Sequence, residues 1–182
     1  MIREKDLPGG PLLALARQAV ARCRPLGVRV IVNDRLDVAL ASGADGIHLG
    51  VAAIPVEDAK RIAGGRLRIG ASAHSLDELR AAVHAGADYA TFGPVFETPS
   101  KAAFGPPVGV AALRKAAGSA TIPVLALGGV TPDRIQSLRG SGIAGVAAIS
   151  AILMAADPAS VVRAMAEGLA SDGEAGPAAG AR

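Results

Sequence analysis

The chain has 182 residues, of which 51% are hydrophobic and 2% aromatic, and it carries a net charge of +3. That length supplies one sizeable core and too little for two comfortable domains. The scarcity of aromatic residues excludes a base-stacking surface for single strands, and arginines dispersed along the chain fit a solvated basic surface better than a nucleic-acid face. The single Cys23 excludes an internal disulfide and matches a reducing cytoplasm. No apolar run approaches the roughly 20 residues of a membrane span, and the N-terminus lacks the apolar core of a secretion signal, so no membrane partner is expected.

Short β-type runs alternate with Ala- and Leu-rich segments of helical period. In chain order the pattern predicts strands at Ile2–Lys5, Val28–Val32, Gly46–Leu49, Leu67–Ala71, Tyr89–Phe92, Val124–Leu127 and Gly145–Ile149. Between and after them it predicts helices at Pro11–Arg22, Asp37–Ser42, Val56–Ile62, Ser75–His84, Val110–Ala117, Pro132–Arg139 and Pro158–Leu169. Ser75-Leu76-Asp77-Glu78 reads as a capping box, and Thr131-Pro132-Asp133 sets an N-cap residue before a proline at the first helical position. Gly43-Ala44-Asp45-Gly46, Gly86-Ala87-Asp88-Tyr89 and Gly142-Ile143-Ala144-Gly145 form a weak repeat that closes a helix and feeds a strand each time.

Strands that are apolar throughout imply a parallel sheet covered by helices, an α/β class. About seven strands are found where a closed (β/α)8 TIM-type barrel needs eight, and the chain starts in mid-unit, so the expectation is such a barrel over residues 1–170 lacking its first βα unit. An open doubly wound sheet is disfavoured because no glycine-rich dinucleotide fingerprint follows any strand. Residues 171–182 have no periodicity and are expected to be a disordered tail.

In a barrel, polar residues at the carboxyl ends of strands share one site. After Tyr89–Phe92 the loop carries Thr98, Ser100 and Lys101, two hydroxyls and an ammonium able to hold phosphate oxygens. Arg3 and Lys5 occupy alternate positions of the first strand and can both reach the mouth, or they are simply an exposed charged terminus. Asn33 and Asp34 end the second strand, with capping of the next helix as the alternative. Ser72 and His74 end another; His74 is either a proton carrier or a neighbour of a helix cap. Gly128 and Gly129 would let backbone amides approach an anion, and the Ser150 amide would lie at a helix start, although a turn needs glycines without any ligand. His48, inside a strand, reads as structural.

The segments IREKD, VNDR, GADGIHLG, GASAHS, FGPVFETPSK, LALGGVTPDR and AAISAI occur in the order and spacing of the thiamine phosphate synthase family and its relative TenI, a thiazole tautomerase. The chain resembles that family from Ile2 to about Ala170. The resemblance implies a (β/α)8 barrel whose first unit precedes the REKD strand, with Met1 standing where the synthases place a phosphate-binding glutamine. It implies a transferase that couples hydroxymethylpyrimidine pyrophosphate to thiazole phosphate and releases pyrophosphate. Arg3, Lys5, Asn33, Thr98, Ser100 and Lys101 would bind the pyrophosphate, Lys101 also acting in catalysis with Ser72 and His74; Asp34 would bind magnesium, Ser72 would lie beside the pyrimidine, and Gly128, Gly129 and Ser150 would cradle the thiazole phosphate.

Two departures matter. After His48-Leu49-Gly50 the synthases continue with Gln and an acidic pair whose second carboxylate completes the magnesium site, whereas here Val51, Ala52 and Ala53 follow. Glu57 and Asp58 lie a turn further on as substitutes. A TenI-like tautomerase would need no metal, but Pro94 stands where that branch carries a histidine. A synthase acting on small phosphorylated substrates is therefore expected, with the tautomerase and a non-catalytic phosphate-ligand binder as alternatives; an open strand edge would favour a homo-oligomer.

Overall fold

The structure is a computed structural model that describes residues 1–98 and 105–170. Within it the chain divides into two compact units, Met1–Thr91 with Ala120–Pro123, and Phe92–Ser119 with the chain from Val124 onward.

The first unit begins with helix α1 (Gly9–Cys23), which buries Leu12, Ala16 and Val20, spaced four residues apart on one face. A short 3-10 turn, Arg24–Leu26, ends on Gly27 at φ 68°, a left-handed conformation that costs glycine least. Then follow β1 (Ile31–Asn33), α2 (Leu36–Ser42), β2 (Gly46–Leu49), α3 (Val56–Ala63), β3 (Arg68–Ala73), α4 (Leu76–His84) and β4 (Tyr89–Phe92). The four strands lie in the order β1-β2-β3-β4. Parallel pairing of β1 with β2 and of β2 with β3 sets Asn33 opposite His48 and His48 opposite Gly70. Alternate residues fall on opposite faces. Val32, Ile47 and Ile69, each 1% exposed or less, form one core with Leu12, Ala16 and Ala39 of the helices, and each Val, Leu or Ile side chain so buried stabilises the fold by about 1.5–3 kcal/mol.

The repeated Gly-Ala-Asp segments have a physical purpose. Asp45 accepts a hydrogen bond from the Val30 amide at 2.7 Å, and Asp88 accepts one from the Ile69 amide at 2.6 Å. Each carboxylate fastens the amino end of its own strand to that of the strand before it. The third copy lacks the carboxylate and keeps only the backbone bond that all three share, here from the Ala144 amide to the Val124 carbonyl at 2.8 Å.

The second unit holds α5 (Gly109–Ser119), β5 (Val124–Leu127), a 3-10 helix at Pro132–Leu138, β6 (Gly145–Ala147), α6 (Ser150–Leu153) and α7 (Pro158–Ala170). β5 and β6 pair in parallel, Leu125 opposite Gly145. Gly168 of α7 sits against Ile135, where a Cβ would come within 2.7 Å of the Ile135 methyl.

The fold is α/β, with six strands among the described residues where about seven were expected. The predicted first strand, Ile2–Lys5, is a single bridge from Ile2 to Val32, held by Ile2 N–H to Ile31 O and Asn33 N–H to Ile2 O. The chain bends away at Lys5–Leu7 before the proline that precedes α1. The predicted strand Val28–Val32 begins only at Ile31, because Val28 still belongs to the turn, its amide bonded back to Cys23 O at 3.1 Å. Pro132–Leu138 is 3-10 rather than α, with Ile135 and Leu138, three apart, as its buried residues. The expected tail at residues 171–182 lies outside the described residues.

Candidate functional site

In the first unit the strand ends carry polar side chains. Asn33 is the last residue of β1, half-buried, its amide bonded to Ile2 O at 2.9 Å. Asp34 follows at φ 58°, the left-handed region that aspartate tolerates better than most residues. Its amide donates to His48 O at 2.9 Å and its Oδ1 accepts the Gly50 amide at 2.7 Å. This bond ties the end of β1 to the end of β2 and aims the carboxylate across the strand ends. Neither residue caps α2: its N-cap position is Arg35, with no side-chain cap bond, while the Arg35 guanidinium pairs with Asp37 at 2.6 Å.

His48 on β2, Ser72 on β3 and Tyr89 and Thr91 on β4 share a face of the sheet. His48 is 3% exposed. Its Nε2 lies 3.0 Å from Ser72 Oγ and 3.4 Å from Thr91 Oγ1, and its Nδ1 lies 3.2 Å from the Tyr89 hydroxyl. Burial pushes the imidazole down to about 4, against the opposing pull of the Asp34 charge. Burial, with the Asp88 charge adding to it, pushes the Tyr89 phenol up to about 12. Both groups are thus neutral near pH 7, and one ring nitrogen of His48 donates while the other accepts. Gly70 makes the room: a Cβ there would overlap the Tyr89 ring.

His74 is exposed and belongs to the start of α4. Its amide donates to Glu78 Oε2 at 2.7 Å and its Nδ1 lies 3.1 Å from the same oxygen, while Ser75 Oγ accepts the Glu78 amide at 3.1 Å. The capping box is present, with the glutamate reaching the residue before the cap. Arg3 and Lys5 are both exposed, and Lys5 lies in a bend, so strand alternation no longer sets their directions.

Metal-ligand capacity in this unit is small. Ala53 offers no oxygen, and Asp58 is paired with Arg61 at 2.8 Å. Among the described residues no group of three His, Cys, Asp or Glu side chains could hold a metal by itself. One carboxylate and one amide side chain at a strand end are the oxygen ligands this unit would offer a magnesium ion, fewer than an ion held by protein alone requires. A groove at the amino ends of the strands, lined by Asp45, Lys60, Arg68 and Asp88, has its two carboxylates engaged by backbone amides and is structural.

The second unit offers backbone instead of side chains. Gly128 and Gly129 follow β5 at φ 96° and 65°. The loop after β4 is stitched onto them: Val95 N–H donates to Leu127 O at 2.9 Å and Phe96 N–H to Gly128 O at 3.0 Å. A Cβ on Gly129 would come within 2.7 Å of Glu97 O and 2.8 Å of Phe96 Cβ. Arg134 closes the turn, donating to Gly129 O at 2.8 Å with its guanidinium 5.1 Å from the Phe96 ring centre. This loop leads to Thr98; Ser100 and Lys101 lie outside the described residues. Ser150 is the first residue of α6, exposed, on a helix of only four residues.

Tyr89 and the tie between His48 and Ser72 are absent from any reading of the sequence. The one signal was Gly70, a glycine inside a strand, which marks close approach of another group.

A family model described as thiamine monophosphate synthase matches residues 1–152. A thiamine-phosphate synthase of Roseiflexus sp. (strain RS-1) is 41% identical over 170 residues, covering 93% of this chain and 72% of that protein. One from Anaeromyxobacter dehalogenans (strain 2CP-C) is 43% identical over 157 residues, covering 86% and 70%. Among solved structures, the thiamine phosphate pyrophosphorylase of Pyrococcus furiosus superposes with a TM-score of 0.86 at 35% identity, covering 93% of this chain and 81% of that one. A 3-hexulose-6-phosphate synthase from Salmonella typhimurium shares the fold alone, with a TM-score of 0.71 at 16% identity.

Proposed function

Because the chain belongs to the thiamine monophosphate synthase family, we propose that it couples hydroxymethylpyrimidine pyrophosphate to thiazole phosphate, giving thiamine phosphate and free pyrophosphate. The observation that carries this reading is the end of β1, where Asn33 and Asp34 are held side by side, Asp34 by the Gly50 amide, and neither serves the next helix.

The reaction breaks the bond between the pyrimidine methylene carbon and the pyrophosphate oxygen while a bond to the thiazole forms. Negative charge grows on the departing pyrophosphate, so cations and hydrogen-bond donors around it lower the barrier. By the family resemblance, Arg3, Lys5, Asn33, Thr98, Ser100 and Lys101 would supply these. Magnesium, when bound at Asp34, adds charge neutralisation to the same oxygens. Ser72 addresses the pyrimidine, whose electron-poor methylene must be kept from water. Gly128 and Gly129 present amides to the thiazole phosphate, with Ser150 alongside. His74 is assigned to the start of α4 and not to chemistry. The barrel architecture of the family and a cytoplasmic setting, in which the lone Cys23 thiol stays reduced, complete the proposal.

Incubation with both substrates should yield thiamine phosphate, with higher turnover in magnesium; no product with or without the metal overturns the synthase reading. The alternative of a TenI-like tautomerase is favoured by Ala53 in place of a carboxylate, and conversion of thiazole carboxylate phosphate to its isomer would identify it. Pro94 offers no proton-transfer group at the position where that branch has its histidine.

A further inference from the structure

We infer that His48 and Tyr89 form a positioning pair that fixes the Ser72 hydroxyl as a hydrogen-bond donor toward the pyrimidine ring of the substrate. The inference rests on the synthase reading for the identity of the ligand, and on the geometry of the first unit for everything else.

Three groups on three neighbouring strands are linked in line: the Tyr89 hydroxyl lies 3.2 Å from His48 Nδ1, and His48 Nε2 lies 3.0 Å from Ser72 Oγ. The imidazole between them is 3% exposed and cannot exchange partners with bulk water. A neutral imidazole has one donor and one acceptor nitrogen, so the two bonds are coupled and the state of one end decides the other. A phenol is a good donor. With the Tyr89 O–H pointing at Nδ1, the ring proton sits on Nε2 and donates to Ser72 Oγ. The Ser72 hydrogen is then left over for a group outside this chain of bonds, on a half-buried side chain near the end of β3. The acceptor it suits is a ring nitrogen of a pyrimidine, an uncharged heteroaromatic base.

The fold is arranged to permit this chain. His48 and Gly70 are paired in the β2–β3 register, and only a glycine at position 70 leaves space for the Tyr89 ring to cross the strand and reach the imidazole. Tyr89 is also the only tyrosine in the sequence. Thr91 Oγ1, 3.4 Å from Nε2, limits rotation of the ring from the remaining side.

A double-mutant cycle tests the pair. In the wild-type background, Tyr89→Phe removes the phenol proton, keeps the ring over Gly70, and should lower kcat/KM about tenfold, chiefly through kcat. In the Ser72→Ala background the same change should alter kcat/KM less than twofold, because the group being positioned is gone. Equal catalytic losses in both backgrounds would make Tyr89 merely structural and overturn the inference, as would full activity of Tyr89→Phe or of Ser72→Ala. His48→Gln, which keeps a polar group of similar reach, should resemble Tyr89→Phe, and full activity there counts against the pair in the same way. Inactivity of the wild-type protein with both substrates would instead sink the synthase reading, so the two failures are distinguishable.

Discussion

The ends of β1–β3 and the turn after β5 are built by opposite means. The first unit uses side chains: Asp34 held by the Gly50 amide and Ser72 held by His48. The second uses the absence of side chains: Gly128 and Gly129 are hemmed in by Pro94, Phe96 and Glu97, so the turn closes only because nothing projects from them. A site made of side chains is damaged by taking atoms away. A site made of backbone is damaged by adding them.

Four measurements sharpen or break that contrast. Gly129→Ala adds one methyl group at φ 65° and 2.7 Å from Glu97 O. The left-handed conformation and the overpacking together should cost about 2–4 kcal/mol by denaturant titration; a cost under about 0.5 kcal/mol, the scatter of ordinary surface changes, would show that the turn is not packed as described.

His48 makes the first unit sensitive to pH. Its imidazole titrates near 6.5 when unfolded and near 4 when folded. The unfolded state therefore binds more protons between those values, and stability is full above pH 6.5, falls as pH drops toward 4, and falls no further from this group below it. The loss should be on the order of 3 kcal/mol, and His48→Gln should flatten that segment of the curve. An unchanged slope in the variant would contradict the burial of the ring.

Asp34→Ala removes a carboxylate and leaves the Gly50 amide without its acceptor. It should lower kcat/KM roughly 10–100-fold and raise the magnesium needed, whereas Asp34→Asn keeps an oxygen for Gly50 and should restore stability but not the metal response. Identical behaviour of the two variants would mean that the charge is irrelevant. The smallest effect is expected at Ser75→Ala, which removes the α4 cap and should cost about 1 kcal/mol with kcat unchanged; a fall in kcat would bring His74 back into the chemistry.

Sequence periodicity located most of this fold because the decisive residues are local. β2, β4 and β5 match their predicted limits: each is a four-residue, largely apolar run, with a glycine at or next to one end in every case. α6 escaped notice because four residues leave no period to read, and its last residue, Leu153, is 74% exposed. The candidate site divides in the same way. Asn33, Asp34, Ser72, Gly128 and Gly129 stand at strand ends, a position that a linear pattern can mark. The contact of His48 with Ser72 and Tyr89 spans 24 and 41 residues and exists only through the register of β2, β3 and β4, which no spacing along the chain encodes.

The two aspartate fasteners, Asp45 to Val30 and Asp88 to Ile69, set strand alignment from the end remote from the candidate ligands. Alignment anchored at one pole leaves the opposite pole fewer fastenings to supply, the Asp34–Gly50 bond among them. A small side chain such as that of Ala53 can therefore stand there while the Asp45 and Asp88 fasteners beneath it are undisturbed.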